Sequence, residues 1–290
     1  MDHMPAVTEF ERLPSLTGGY LRALFSRKPG LRGGTIPRVE ALIRGVVPDP
    51  ARVEAYRRVC GIAPATDLPI TYPAVLGAPL HLAILTSPGF PLNAMGIIHC
   101  RNVIEQRLPV PSGAPVDVRA WVEGHRDVPS GVEFDLVTEA SVDGEAVWSS
   151  TTTILSRVPG RRGGGAKPEE PSWEPARTAT WCLPPNLGRQ YASVSGDYNP
   201  IHLHPLTARM LGGFPRPIVH GMWSLARVVG EVGTEAPQGP ASLDVEFRRP
   251  VYLPSDVEFA CARDESGAIR YTVRAAKDRK LCLCGIFGAI

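Results

Sequence analysis

Ser195-Gly-Asp-Tyr-Asn-Pro-Ile-His-Leu-His204 gathers a carboxylate, a carboxamide and two imidazoles into one short stretch. Asp197 and His202 stand five positions apart, with an Asn-Pro pair between them. A carboxylate beside an imidazole suits proton transfer, because the acid orients the ring and favours its charged form while histidine titrates near neutrality. Such a pair can activate a water or move protons at neighbouring carbons. The same residues also suit a capped turn beside a satisfied core histidine, and this stretch alone leaves both readings open.

A second stretch, Pro217-Ile-Val-His-Gly-Met222, leads into an apolar segment that reads as a helix as far as Val232. Free N–H groups at a helix N-terminus attract developing negative charge, and glycine there admits a ligand closely. An N–H at Gly221 aimed at a ligand carbonyl oxygen would stabilise the enolate left when an α-proton departs. Taken alone, Gly221 equally suits tight helix–sheet packing.

The elements that must position these groups follow from spacing. Leu187, Tyr191 and Val194 mark one helical face, and Gly196 is placed to end it in a left-handed cap. Asn199-Pro200 then restarts the chain, with asparagine as N-cap and proline at the first helical position. A break between elements can turn Asp197 and His202 into one cavity. A continuous helix would do so poorly, because its faces recur every three or four residues. His204 precedes Pro205 and reads as the cap of a further helix.

The chain has 290 residues with a net charge of +2, which offers no electrostatic case for nucleic acid or an anionic membrane. The Arg161-Arg162 and Arg248-Arg249 pairs are too short to change that. The most apolar window, 80–99, contains Pro88, Gly89 and Pro91 and is a poor membrane span. The N-terminus lacks a charged region followed by an apolar one, so a secretory signal is not expected and a cytoplasmic location is. Cys60, Cys100, Cys182, Cys261, Cys282 and Cys284 form no CxxC and no zinc spacing with histidine, and read as buried reduced thiols.

Residues 158–175 are dominated by glycine, proline and charge and read as a linker. They separate an N-terminal part, 1–157, from a C-terminal part, 176–290. Each part reads as helical segments followed by strands, an α+β pattern. In the first, Val53, Tyr56, Val59 and Cys60 keep helical spacing, and four strand-like runs follow, several of them alternating and the last two joined by an Asp143-Gly144 turn. Aligning His81 with His202 and His99 with His220, an offset of 121, gives seven identities over 79–99 and suggests a duplication. In that register Leu76 faces Asp197, Ala78 faces Asn199 and Cys100 faces Gly221, so only the second part keeps the acid and the glycine.

Together, Tyr191-Ala-Ser-Val-Ser-Gly-Asp-Tyr-Asn-Pro-Ile-His202, Ala208, Gly213-Phe214 and Ile218-Val-His-Gly-Met222 resemble the MaoC-like dehydratase (hydratase 2) family and its GDxNPIH signature. Residues 68–102, from LPITYPAVLG to HCRN, look like the first half of two-hotdog members, the 3-hydroxyacyl-thioester dehydratases. The resemblance covers most of 50–290; residues 1–50 are less informative. It implies a double hotdog fold, two tandem domains each with a central helix wrapped by an antiparallel sheet. It also implies reversible syn hydration between trans-2-enoyl and (3R)-3-hydroxyacyl thioesters of CoA or acyl carrier protein in fatty acid metabolism.

Carried over by motif, Asp197 and His202 are the catalytic pair and Gly221 N–H is the oxyanion donor. Asn199, Ser195 and His220 support the loop or the substrate, and no metal or redox cofactor is expected. Family members commonly carry aspartate where this chain has His204, a departure that bears on capping more than on chemistry. One active site per chain is expected, with the N-terminal part degenerate and its 80–99 segment making room for an acyl chain. Arg209, Arg216, Arg248 and Arg249 are candidates for the CoA phosphates, and either a monomer or a homodimer fits. An acyl-thioester binding protein without turnover and a hotdog thioesterase are the alternatives. The intact Asp197/His202/Gly221 set weighs against the first and the signature against the second.

Overall fold

The computed structural model describes residues 6–31, 34–158, 160 and 170–290. Strand β1 (Ala6–Phe10) and helix α1 (Leu16–Phe25) precede a first run: β2 (Val39–Val46), α2 (Pro50–Cys60), α3 (Pro73–Thr86), β3 (Ile97–Gln106), β4 (Val116–Val128), β5 (Gly131–Val142) and β6 (Glu145–Arg157). A second run follows: β7 (Arg177–Leu183), α4 (Leu187–Ser195), a 3-10 turn at Pro200–His202, α5 (Pro205–Gly212), α6 (Gly221–Val232), β8 (Ala241–Phe247), β9 (Ser255–Arg263), β10 (Ile269–Ala275) and β11 (Leu281–Ala289).

Among the described residues, eleven strands form one sheet in the order β1-β2-β4-β5-β6-β3-β8-β11-β10-β9-β7. Of the strand pairs among the described residues, β1–β2 alone is parallel. The order β2-β4-β5-β6-β3 is mirrored by β7-β9-β10-β11-β8, and the two runs meet where β3 pairs with β8. Alternation drives the pairing: Val116, Val118, Ala120 and Val122 of β4 are buried, while the residues between them are more open. Asp143 and Gly144 join β5 to β6 with φ of 51° and 82°, the left-handed pair a tight hairpin needs.

Each run has a helix of mainly buried residues. In α3, Leu76, Leu80, Leu82, Ile84 and Leu85 are buried, and the helix packs on β2, β4 and β5. It continues through Pro79 and ends at Thr86. The 80–99 segment is therefore helix, loop and then strand, with Pro88 and Pro91 falling in the loop. Trp223 of α6 packs edge-on against Trp181 of β7, with ring centroids 6.3 Å apart, and donates to Val59 O of α2 at 3.0 Å. Both helices join a single core with the inner faces of the strands.

The 121-residue register does not hold in the structure. Residues 79–86 lie within α3, whereas 200–207 run from the 3-10 turn into α5. Ile97–His99 opens a strand, whereas Ile218–His220 leads into a helix. The matching apolar strings occupy different elements, and topology pairs α2 with α4 and α3 with α6 instead.

Of the expected linker, residues 159 and 161–169 lie outside the described residues, and so does Arg161-Arg162. Cys60, Cys261 and Cys282 are buried as expected. Cys100 and Cys284 are half-buried, and Cys182 is exposed because its position on edge strand β7 points outward. No helix among the described residues is long and apolar enough to cross a membrane.

Candidate active site

The opening motif folds by local rules. Helix α4 ends at Gly196, whose φ of 81° is the left-handed cap. Ser195 Oγ donates to Tyr191 O at 2.8 Å and accepts from Asp197 N at 3.2 Å, which fixes the exit from the helix. Asn199 caps the 3-10 turn, its side chain accepting from Ile201 N, with Pro200 next. His204 caps α5, its Nδ1 accepting from Leu206 N at 3.2 Å, and stays exposed.

The result is a cluster of three titratable groups. Among the described residues, Asp197, His202 and His220 bring ligand-type atoms within 4.8 Å of one another. His202 and His220 stack with centroids 3.7 Å apart and planes at 28°. Tyr191 packs on His220 at 4.8 Å and Tyr56 on Tyr191 at 5.9 Å, which closes the apolar side. Gly188 lets α4 lie against the turn, since a Cβ there would stand 1.9 Å from the His202 carbonyl oxygen.

Each imidazole is oriented by a carbonyl. His202 Nδ1 lies 2.8 Å from Ile218 O, which can only accept, so Nδ1 carries the proton and Nε2 keeps its lone pair. His220 Nε2 lies 3.0 Å from Asp197 O, and its Nδ1 is buried without a partner. His220 also stands 3.9 Å from Asp197 Oδ2. Burial first, and His220 second, pull the His202 pKa down to about 3 against the attraction of Asp197. The general tendency of a carboxylate to favour imidazolium is overridden here, since desolvation outweighs the attraction of Asp197 and the ring is neutral at pH 7. Burial alone would raise the Asp197 pKa, but His220, His202, Tyr20 and the Asn199 N–H together lower it, so the carboxylate is ionised.

The rings bear on metal binding. Imidazole lone pairs lie in the ring plane, and two stacked, nearly parallel planes do not converge on one ion. The cluster fits proton handling better than ligation.

Tyr20 is the group that reading the sequence missed. Its hydroxyl donates to Asp197 Oδ1 at 2.6 Å, across 177 residues of chain, and the Asn199 N–H reaches the same oxygen at 3.1 Å. Nothing local to Tyr20 signals this, and the segment before residue 50 carries none of the family motif.

Gly221 begins α6, directly after His220, so its N–H belongs to the unpaired first turn of that helix. A Cβ at Gly221 would lie 3.0 Å from the Phe247 ring, and that ring packs against His99 at 4.8 Å. His81 Nε2 lies 2.5 Å from Thr138 Oγ1. Of the phosphate candidates, Arg248 pairs with Glu246 at 2.6 Å and Arg216 donates to Pro254 O at 3.0 Å, while Arg209 and Arg249 are exposed. A surface cleft of about 410 Å³ lies between α2 and α4, lined by residues such as Val59 and Val194 and by none of Asp197, His202 and His220.

A helix-covered antiparallel sheet carrying an Asp–His pair before a glycine-started helix defines the class: a hotdog-type fold with a hydratase-like centre. Comparison makes this specific. Residues 165–281 match the MaoC like domain. The chain is 33% identical over 258 residues to the 3-hydroxyacyl-thioester dehydratase X of Mycobacterium tuberculosis, across 88% of this chain and 91% of that protein. The crystal structure of HtdX from the same organism superposes with a TM-score of 0.76 at 32% identity, covering 87% of this chain and all of that one (100%). An (R)-specific enoyl-CoA hydratase from Aeromonas caviae is 33% identical over 92 residues, 29% of this chain and 67% of that protein. The chain belongs to the MaoC-like dehydratase family.

Proposed function

We propose that the protein catalyses reversible hydration between trans-2-enoyl and (3R)-3-hydroxyacyl thioesters of CoA or acyl carrier protein, in fatty acid metabolism. The observation that carries this reading is the Asp197/His202/His220 cluster set beside the N-terminus of α6. In hydration, a water between Asp197 and the bare Nε2 of His202 gives up a proton to that pair as its oxygen bonds C3. The electron pair moves to the thioester oxygen, where the Gly221 N–H meets the developing charge. The pair then returns a proton to C2, on the face from which the water came. Asp197 and His202 are the catalytic groups, Ser195 and Asn199 hold the loop, and His220 packs both partners into register. No metal or redox cofactor enters these steps.

The mirrored strand order supports two tandem hotdog domains, 1–157 and 176–290, with a single site in the second. The helix caps make the contrast. Gly61 closes α2 with φ of 69°, as Gly196 closes α4, yet Ile62 follows the first and Asp197 the second. Helix α3 starts at Pro73 where α6 starts at Gly221, and proline has no N–H to offer an oxyanion. The N-terminal domain is left to accommodate the acyl chain.

Crotonyl-CoA and a longer enoyl-CoA test the reading. Loss of enoyl absorbance without release of free thiol is expected. Thiol release would instead identify a thioesterase, and binding with neither change a passive thioester carrier.

A further inference from the structure

The hydroxyl of Tyr20 sits 2.6 Å from Asp197 Oδ1, and it comes from α1, outside the residues that match the family domain. We propose that Tyr20 is a positioning residue for the catalytic carboxylate, locking one oxygen so that the other faces the histidines. The proposal rests on the hydratase reading for its effect on turnover but not for its effect on Asp197.

Asp197 Oδ1 has two donors, the Tyr20 hydroxyl and the Asn199 N–H. These fix the carboxylate plane, and Oδ2 is left on the side of His220, 3.9 Å away. The donors differ in kind. The Asn199 N–H belongs to the turn that carries the acid and moves with it, whereas Tyr20 is anchored on another element. Helix α1 docks on α3 through Gly19, where a Cβ would stand 2.5 Å from Leu82 Cδ2. The N-terminal segment therefore holds the acid of the C-terminal site against the helix of the other half.

Tyr20 suits this role because it stays a donor. Burial first, then the charge of Asp197, push its own ionisation well above the ordinary tyrosine value. A neutral hydroxyl beside a carboxylate makes a charge-assisted bond that favours the ionised acid. Removing it leaves the carboxylate less oriented and easier to protonate.

The test compares the full-length protein with Tyr20→Phe, which removes only the hydroxyl, and Gly19→Val, which pushes α1 off Leu82. Carbon-13 NMR of the aspartate carboxyls, with the Asp197 resonance assigned by its loss in Asp197→Asn, follows its titration without substrate. The Asp197 midpoint is expected to rise in both variants. With crotonyl-CoA, kcat should fall roughly tenfold in Tyr20→Phe, the order of one hydrogen bond to a charged group, while KM changes little. An unmoved midpoint in Tyr20→Phe, with or without a lower melting temperature, would make Tyr20 a packing residue and overturn the proposal. A wild-type protein that fails to hydrate enoyl-CoA would sink the functional reading instead, and the NMR titration would still decide the role of Tyr20.

Discussion

Replacing Gly188 by alanine tests whether the close fit of α4 against the catalytic turn sets the position of His202. The added Cβ would stand 1.9 Å from the His202 carbonyl oxygen, 3.0 Å from its carbonyl carbon and 3.5 Å from its Cβ. Ordinary contact between such atoms needs more than 3 Å or so, and the obstacle is backbone, which has no rotamer to escape into. Either α4 or the turn must therefore retreat by about 1 Å. The His202 carbonyl belongs to the residue whose Nδ1 is held 2.8 Å from Ile218 O, so the retreat pulls the ring against that anchor. A misplacement of about 1 Å can cost on the order of a hundredfold in rate. Overpacking costs about 1–3 kcal/mol, offset by up to about 1 kcal/mol from the better helix propensity of alanine. Gly188→Ala should thus lower kcat for crotonyl-CoA hydration by roughly a hundredfold, with a melting temperature only a few degrees lower. Turnover within about twofold of wild type would refute the argument, because the wedge would have moved the chain without moving the ring.

Other expectations follow from the same geometry. Asp197→Asn and His202→Ala should each lower kcat by several orders of magnitude in a protein that still melts cooperatively, and near-normal turnover in either would remove that residue from the mechanism. The pH profile of kcat/KM should show no histidine limb near 6.5, since burial holds His202 at about 3, while the two histidines, Tyr20 and the Asn199 N–H outweigh burial and hold Asp197 below its ordinary value; an inflection there would contradict a neutral His202 base. Stability should fall with acid. His81 and His99 are held down to about 4 by burial and His202 to about 3, so below pH 6.5 the unfolded chain takes up protons that the native state refuses. Each such histidine costs up to about 1.4 kcal/mol per pH unit until its native pKa is reached, and thermal melts between pH 7 and 4 check the slope. Arg57→Met should destabilise by about 1.5–3 kcal/mol in urea unfolding, because the buried guanidinium donates to the carbonyls of Ala63, Ala65 and Asp67 and methionine cannot.

What the sequence disclosed and what it hid divide by distance along the chain. The Gly196 cap, the Asn199-Pro200 restart, the His204 cap and the Asp143-Gly144 hairpin are decided within a few residues, and each folds as its local chemistry dictates. The meeting of Asp197 with His202 was legible for the same reason, since a single turn carries both. The stacking of His220 on His202 was only half visible. The glycine-started helix could be read, but the ring packing depends on how α6 returns to α4. The protonation of His202 lay outside the sequence, which shows the carboxylate nearby and not the desolvation that overrides it. Tyr20 was beyond reach, since its bond to Asp197 is made by α1 packing on α3 and leaves no pattern in either segment. The duplication shows the opposite error. Identical letters at 79–99 and 200–220 suggested a register that the elements refuse, while the true correspondence of α3 with α6 sets Pro73 against Gly221. That pair also supports the proposal of a single site. Two helices start at equivalent places in the sheet order, and only the one that begins with glycine has a first N–H to give.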